Sequence, residues 1–181
     1  MLFVTFVVSF SQFDVKSNKL GRDLPKARRW AMGSAPRVTT LGVKKIMVEI
    51  RLTYEGDLHC SAVHQPSGSL IATDAPLDNN GRGEAFSPTD LVATALAACM
   101  ATVIGIVAKR KAIDVTGMSV NARKFMSDDQ PRRISRIELD LKMPLSADHP
   151  DRKLLESAAR GCPVHHSIHP DIDVVMNWIW A

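Results

Sequence analysis

An α+β fold, with antiparallel sheet laid against one long apolar helix, is the architecture this sequence predicts. Three observations carry the prediction. The stretch 48–55, VEIRLTYE, alternates apolar and polar residues without a break, the mark of a strand with one buried face. The stretch 91–108 contains no charged residue at all and is too long for a strand. The elements also follow one another as βββ, α, ββ, α, β, without the strand–helix–strand alternation that builds parallel sheets. With 181 residues, 45% hydrophobic and 23% charged, the chain has the composition of a globular protein with a single core.

In order, 48–55 places Val48, Ile50, Leu52 and Tyr54 on one face and Glu49, Arg51, Thr53 and Glu55 on the other. Gly56-Asp57 turns the chain, and LHCSAVH and SLIATD continue as two short strands divided by Pro66-Ser67-Gly68. A Gly/Asn/Pro loop, APLDNNGRGEAF, leads to Ser87-Pro88, where a serine N-cap, a proline at the first helical position and Asp90 three residues after the cap predict a capping box. The helix runs to Lys109-Arg110-Lys111, whose charges suit the negative end of its dipole. Strands are expected near 115–126 and 133–143, joined by the polar turn SDDQP. A second helix follows, capped by Asp148, started by Pro150 and ended by Gly161, and DIDVVMNWIW closes the chain as a strand.

The net charge of +4 would suggest a polyanionic partner until it is located. Residues 1–46 hold nine Lys/Arg against two acids, whereas 47–181 hold fourteen against seventeen. The basicity belongs to the leader, so nucleic acid is not the expected partner of the body, which has no basic stripe interleaved with aromatics. The leader opens on MLFVTFVVSF without a positive n-region or a small-residue cleavage site, and its later half is rich in Arg and poor in acids. It reads as an extension without fixed structure, dispensable or a targeting segment, with a structural arm as the remaining alternative and the folded domain at 47–181. Three cysteines, Cys60, Cys99 and Cys162, cannot all pair within one chain, which points to a reducing, cytoplasmic setting.

The 18 residues of 91–108 approach the length of a bilayer span, but they are padded with Ala, Thr and Gly and flanked by amphipathic strands, so no membrane is expected. A helix apolar on all sides is buried on all sides. Ala93, Ala97, Ala101 and Gly105 fall at i+4 steps and make a smooth ridge suited to close helix approach, either against the same helix of a second subunit or within the chain's own two layers. Cys99, in mid-helix, gains nothing from the dipole and taken alone reads as core packing. Cys162 stands at an N-cap position after Gly161 and before Pro163, facing unpaired N–H groups with His165 and His166 close by, which favours a thiolate. Cys162 with His165, His166 and His169 could instead be a metal site; it lacks a second cysteine at metal-ligand spacing. Cys60 shares a face with Leu58 and Ala62 and reads as core.

The two cysteine contexts, GEAFSPTDLVATALAACM opening a long apolar helix and LLESAARGCPVHHSIHP before a last strand, resemble the OsmC/Ohr family of thiol-dependent hydroperoxide reductases. The resemblance covers 47–181 and none of the leader. It implies an intertwined homodimer with sites at the subunit interface. It also implies that Cys99 is the peroxidatic thiol and Cys162 the resolving one, that the substrate is an organic hydroperoxide, and that an external dithiol reduces the resulting disulfide, with no cofactor. Well-characterised members place an Arg in the first hairpin and a Glu ten residues before the peroxidatic cysteine. Here the hairpin YEGDLHCSA has no Arg, and Thr89 holds the other position, with Asp90 beside it as a cap. Arg82 and Glu84, in the loop leading into the helix, are the candidate replacements, set against two solvated loop charges. The missing pair leaves open a member that keeps the fold and thiols but binds a small ligand or metal without efficient peroxidase activity.

Overall fold

The computed structural model describes residues 47–181; the expectation for 1–46 lies outside the described residues. Strands β1 (Ile50–Gly56), β2 (His59–His64) and β3 (Leu70–Asp74) form an antiparallel meander in the order β1-β2-β3. Its first turn puts Gly56 at φ +95 and Asp57 and Leu58 in the left-handed region as well, which bulges the end of β1. Register places Leu52 opposite Ala62 and Tyr54 opposite Cys60, so one face collects Ile50, Leu52, Tyr54, Cys60, Ala62 and Ile71.

Helix α1 (Pro88–Arg110) begins as its sequence predicts. Ser87 Oγ accepts the Asp90 N–H at 3.1 Å, while the Asp90 carboxylate accepts the Ser87 N–H at 2.8 Å. The next strand, β4 (Ser119–Met126), starts later than 115, because Ala112 (φ +55) and Gly117 (φ +88) turn the chain and Asp114 accepts the Thr116 N–H. It pairs antiparallel with β5 (Ile134–Met143).

Helix α2 (Arg152–Arg160) starts one turn after the expected cap: Asp151, not Asp148, occupies the N-cap, and a turn closed by the His149 N–H to the Ser146 carbonyl precedes it. Gly161 ends it as expected, and a short helix α3 (Pro163–Ser167) follows, with Cys162 at its N-cap. The closing strand β6 (Asp173–Trp180) pairs with β5 in parallel, so the second sheet, ordered β4-β5-β6, is mixed and not wholly antiparallel. Two helices between β5 and β6 supply the crossover that a parallel neighbour requires.

The core lies between this second sheet and the helices. Ile137, Leu139, Leu141 and Met143 alternate inward along β5 onto Leu96, Met100, Ile104 and Ala108 of α1 and Leu155 and Ala159 of α2. On the outer face of the sheet, Arg123 bridges Glu138 and Asp140, a solvated cross-strand ladder.

Candidate active site

Helix α1 is buried along Leu96, Met100, Ile104 and Ala108, and open along Thr94, Ala98, Thr102 and Ile106. Cys99 sits half-buried between the two rows, near the middle of the helix. The open row is smooth: Thr94 and Thr102 turn their hydroxyls back to the Asp90 and Ala98 carbonyls, and a Cβ on neighbouring Gly105 would meet nothing within 4 Å. The ridge read from the sequence lies on the flank of this open face, with Ala93 buried and Ala97, Ala101 and Gly105 half-buried.

Cys162 is fully buried in the core cluster that Cys99 packs against. Gly161 hands the chain from α2 to α3 by donating its N–H to the Ser157 and Ala158 carbonyls, and the extended backbone of Cys162 then turns its side chain inward. The two thiols, remote in sequence, belong to one neighbourhood, both unpaired, with Cys99 close enough to bear on Cys162. Burial and then the Cys99 side chain push the Cys162 thiol up from its ordinary value, against the opposing pull of the His165 and Val164 N–H groups. Against the thiolate expected at this N-cap, desolvation outweighs the pull of a short helix's N–H groups on the sulfur.

The loop before α1 gives the other two candidates different partners. Arg82 reaches Asp57 on the first hairpin turn at 3.1 Å, both groups well exposed. Glu84 donates its N–H to the buried Asp74 carboxylate at 3.0 Å, and its own carboxylate makes no hydrogen bond or ion pair among the described residues. Neither is bonded to Cys99 or Cys162 within the chain. His165, His166 and His169 follow Cys162, yet no group of three or more His, Cys, Asp or Glu side chains among the described residues could hold a metal ion. Cys60, read from the sequence as core, is half-buried and lines a cavity outside the core cluster.

One residue near the helix start escaped the sequence reading. The Lys124 ammonium, 15% exposed, lies 2.8 Å from both Thr89 Oγ1 and Asp90 Oδ1. Its signal was available: Lys124 falls on the same face of β4 as Val120, Ala122 and Met126, a cation on an otherwise apolar inward face. Although burial opposes it, Lys124 and Ser87 together hold the Asp90 carboxyl below its ordinary value.

Residues 81–177, more than half of the chain, match the family model described as OsmC-like protein. The chain belongs to the OsmC-like family. A solved structure from Psychrobacter arcticus, described as a candidate osmotic stress induced and detoxification response protein, is 45% identical to this OsmC-like chain. It covers 74% of this chain and 97% of its own, with a TM-score of 0.69. The Legionella pneumophila organic hydroperoxide resistance protein OsmC (17% identical, 75% and 98% covered, TM-score 0.62) and the Bacillus subtilis organic hydroperoxide resistance protein (15%, 74% and 98%, TM-score 0.57) share the fold. No curated protein matches the chain. The mixed sheet and the long apolar helix match the OsmC-like fold of these structures, and α1 packs its buried row into the core although its length and composition would suit a membrane.

Proposed function

We propose that this OsmC-like chain is a thiol-dependent peroxidase that reduces organic hydroperoxides to alcohols. The observation that carries the reading is that Cys99 packs against the buried cluster that holds Cys162, two free thiols remote in sequence brought to one neighbourhood. The Cys99 thiolate attacks the O–O bond, the alcohol leaves with a proton, and Cys99 becomes a sulfenic acid. The Cys162 thiol condenses with it, forming an S–S bond and releasing water; an external dithiol then supplies two electrons and two protons to restore both thiols. A Cys162 thiol held up by burial suits the second role, which starts from the protonated group. No metal or cofactor enters the cycle. Hydroperoxide resistance in the Legionella and Bacillus relatives supports the substrate class.

The working form we infer is a homodimer. The open row of α1 and the apolar face of the β1–β2–β3 meander, with Leu52 62% and Tyr54 60% exposed, are surfaces that a second copy would bury. No described Lys or Arg bonds either sulfur, so a cation for the thiolate would come from the partner or from a rearranged Arg82–Glu84 loop. Residues 47–181 are the functional unit in this reading, 1–46 are an extension it does not need, and unpaired thiols suit a cytoplasmic setting.

The same missing cation favours the second reading, an OsmC-like protein that binds a small ligand or metal without efficient turnover. Stopped-flow consumption of cumene hydroperoxide with dithiothreitol as reductant separates the two. Rapid turnover that falls more than about a thousandfold in Cys99→Ser supports the peroxidase; equal rates in the parent, Cys99→Ser and Cys162→Ser remove it.

A further inference from the structure

In the two-thiol cycle proposed above, the fully buried Cys162 thiol has to give up a proton as it closes the bridge, a step that exists only if that cycle does. The backbone groups that bear on its sulfur, the His165 and Val164 N–H, can only donate. Cys162 is the N-cap of α3, Pro163 and Val164 are its first two residues, and His165 is the third. At a helix start the cap and the third residue are reciprocal neighbours: the cap side chain lies over the N–H of the third residue, and the third side chain reaches back towards the cap. A polar group in that third position commonly bonds the cap N–H. Here the Cys162 N–H goes to the Ala159 carbonyl at 3.2 Å, which leaves the His165 ring without that partner. Its Nδ1, the ring nitrogen nearer the backbone, is enclosed and makes no hydrogen bond among the described residues.

A buried nitrogen without a partner calls for a reason, and a proton that passes through it is one. Nothing else claims the ring. The cavity of about 450 Å³ that His165 borders has Ile168, Ile172 and Val174 among its walls, His166 and His169 as its other titratable groups, and no carboxylate. We propose that His165 is the proton acceptor of the resolving step, taking the Cys162 proton on Nδ1 as that sulfur attacks Cys99. The S–S bond forms as the S–O bond of the Cys99 sulfenic acid breaks, and the departing hydroxide collects the proton from Nδ1, so that water is the product. One electron pair moves from the Cys162 sulfur, which is oxidised, to the Cys99 sulfur, which is reduced. The imidazole begins and ends the step neutral, with its own proton on Nε2.

Thiol exchange isolates this step from peroxide chemistry. In the full chain carrying Cys60→Ser, one equivalent of a nitroaryl disulfide first loads the half-buried Cys99 and releases one coloured thiolate; Cys162 then displaces the second and closes the bridge. At neutral pH His165→Ala should slow the second release about a hundredfold, the low end of general-base catalysis, with the first release and the far-UV circular dichroism unchanged. Added imidazole, for which the bordering cavity has room, should restore the rate saturably, and methylimidazole should do so better than the less basic bromoimidazole. His166→Ala should behave as the parent. A second release as fast in His165→Ala as in the parent, or one slowed but indifferent to imidazole, would overturn the proposal. A parent without any second release would overturn it together with the peroxidase reading. Exchange that needs His165 in a chain that turns over no peroxide would sink that reading alone and leave His165 the acceptor.

Discussion

The two sheets of this molecule are built from the same alternating pattern and end in opposite circumstances. In β4-β5-β6 the inward residues Ile137, Leu139 and Leu141 of the central strand are fully buried beneath α1 and α2. In β1-β2-β3 the corresponding row, Ile50, Leu52 and Tyr54, stands in the open, with no helix of the described residues laid across it. Alternation in sequence therefore announces a face to be covered without saying by what. One sheet is finished within the chain; the other, with the open row of α1, is left uncovered among the described residues and in the proposed dimer would be half of a shared core.

That contrast can be broken from either side. Leu141→Ala should cost about 2–5 kcal/mol of stability, the range for emptying a closed core, and the loss measured by chemical denaturation should not depend on protein concentration. Leu52→Glu should instead act through association, since a carboxylate would have to be buried in the shared face. We expect the dimer dissociation constant, read by analytical ultracentrifugation, to rise by about a hundredfold, which is about 2.7 kcal/mol. A Leu52→Glu protein that dimerises like the parent would mean the meander is not part of the interface.

The helix start gives a smaller, pH-dependent effect. Ser87→Ala removes the cap hydroxyl and should cost about 1 kcal/mol. The Asp90 carboxyl is lowered in the folded chain, so its contribution is present above the ordinary aspartate value near ~3.9 and is lost as the pH falls through the lowered one. Thermal melts of Asp90→Asn and the parent should accordingly differ at pH 6 and converge in that acid window. Smallest in energy, yet informative, is Cys162. In a Cys60→Ser, Cys99→Ser background its alkylation by iodoacetamide should rise with a midpoint above the ordinary thiol value of ~8.5, because burial alone remains to raise it. A midpoint below that value would restore the thiolate expected from its cap position.

What the sequence made legible follows from which interactions are local. The capping box at Ser87 and Asp90, the Cys162 N-cap with Pro163 after it, and the meander with its Gly56 turn are decided within a few residues, and each stands where the pattern predicts. The parallel pairing of β6 was hidden because alternation marks a strand's faces and not its direction. Asp148 and Asp151 are equally good caps on paper; the turn through His149 decides between them. Cys60 was placed on the correct face, but whether that face is core depends on what lies over it. The neighbourhood of Cys99 and Cys162 has no local signature, and the sequence approached it only through resemblance. Arg82 and Glu84 are near Cys99 in the chain, while their local bonds in the loop go to Asp57 and Asp74.

The central claim is that one peroxide converts this particular pair of thiols into a disulfide. Treating the reduced chain with one equivalent of cumene hydroperoxide, trapping remaining thiols and mapping the peptides by mass spectrometry tests it most directly. Two thiols should be lost, with Cys99 and Cys162 joined and Cys60 still free. Three free thiols after peroxide exposure, or a bridge that includes Cys60, would contradict it.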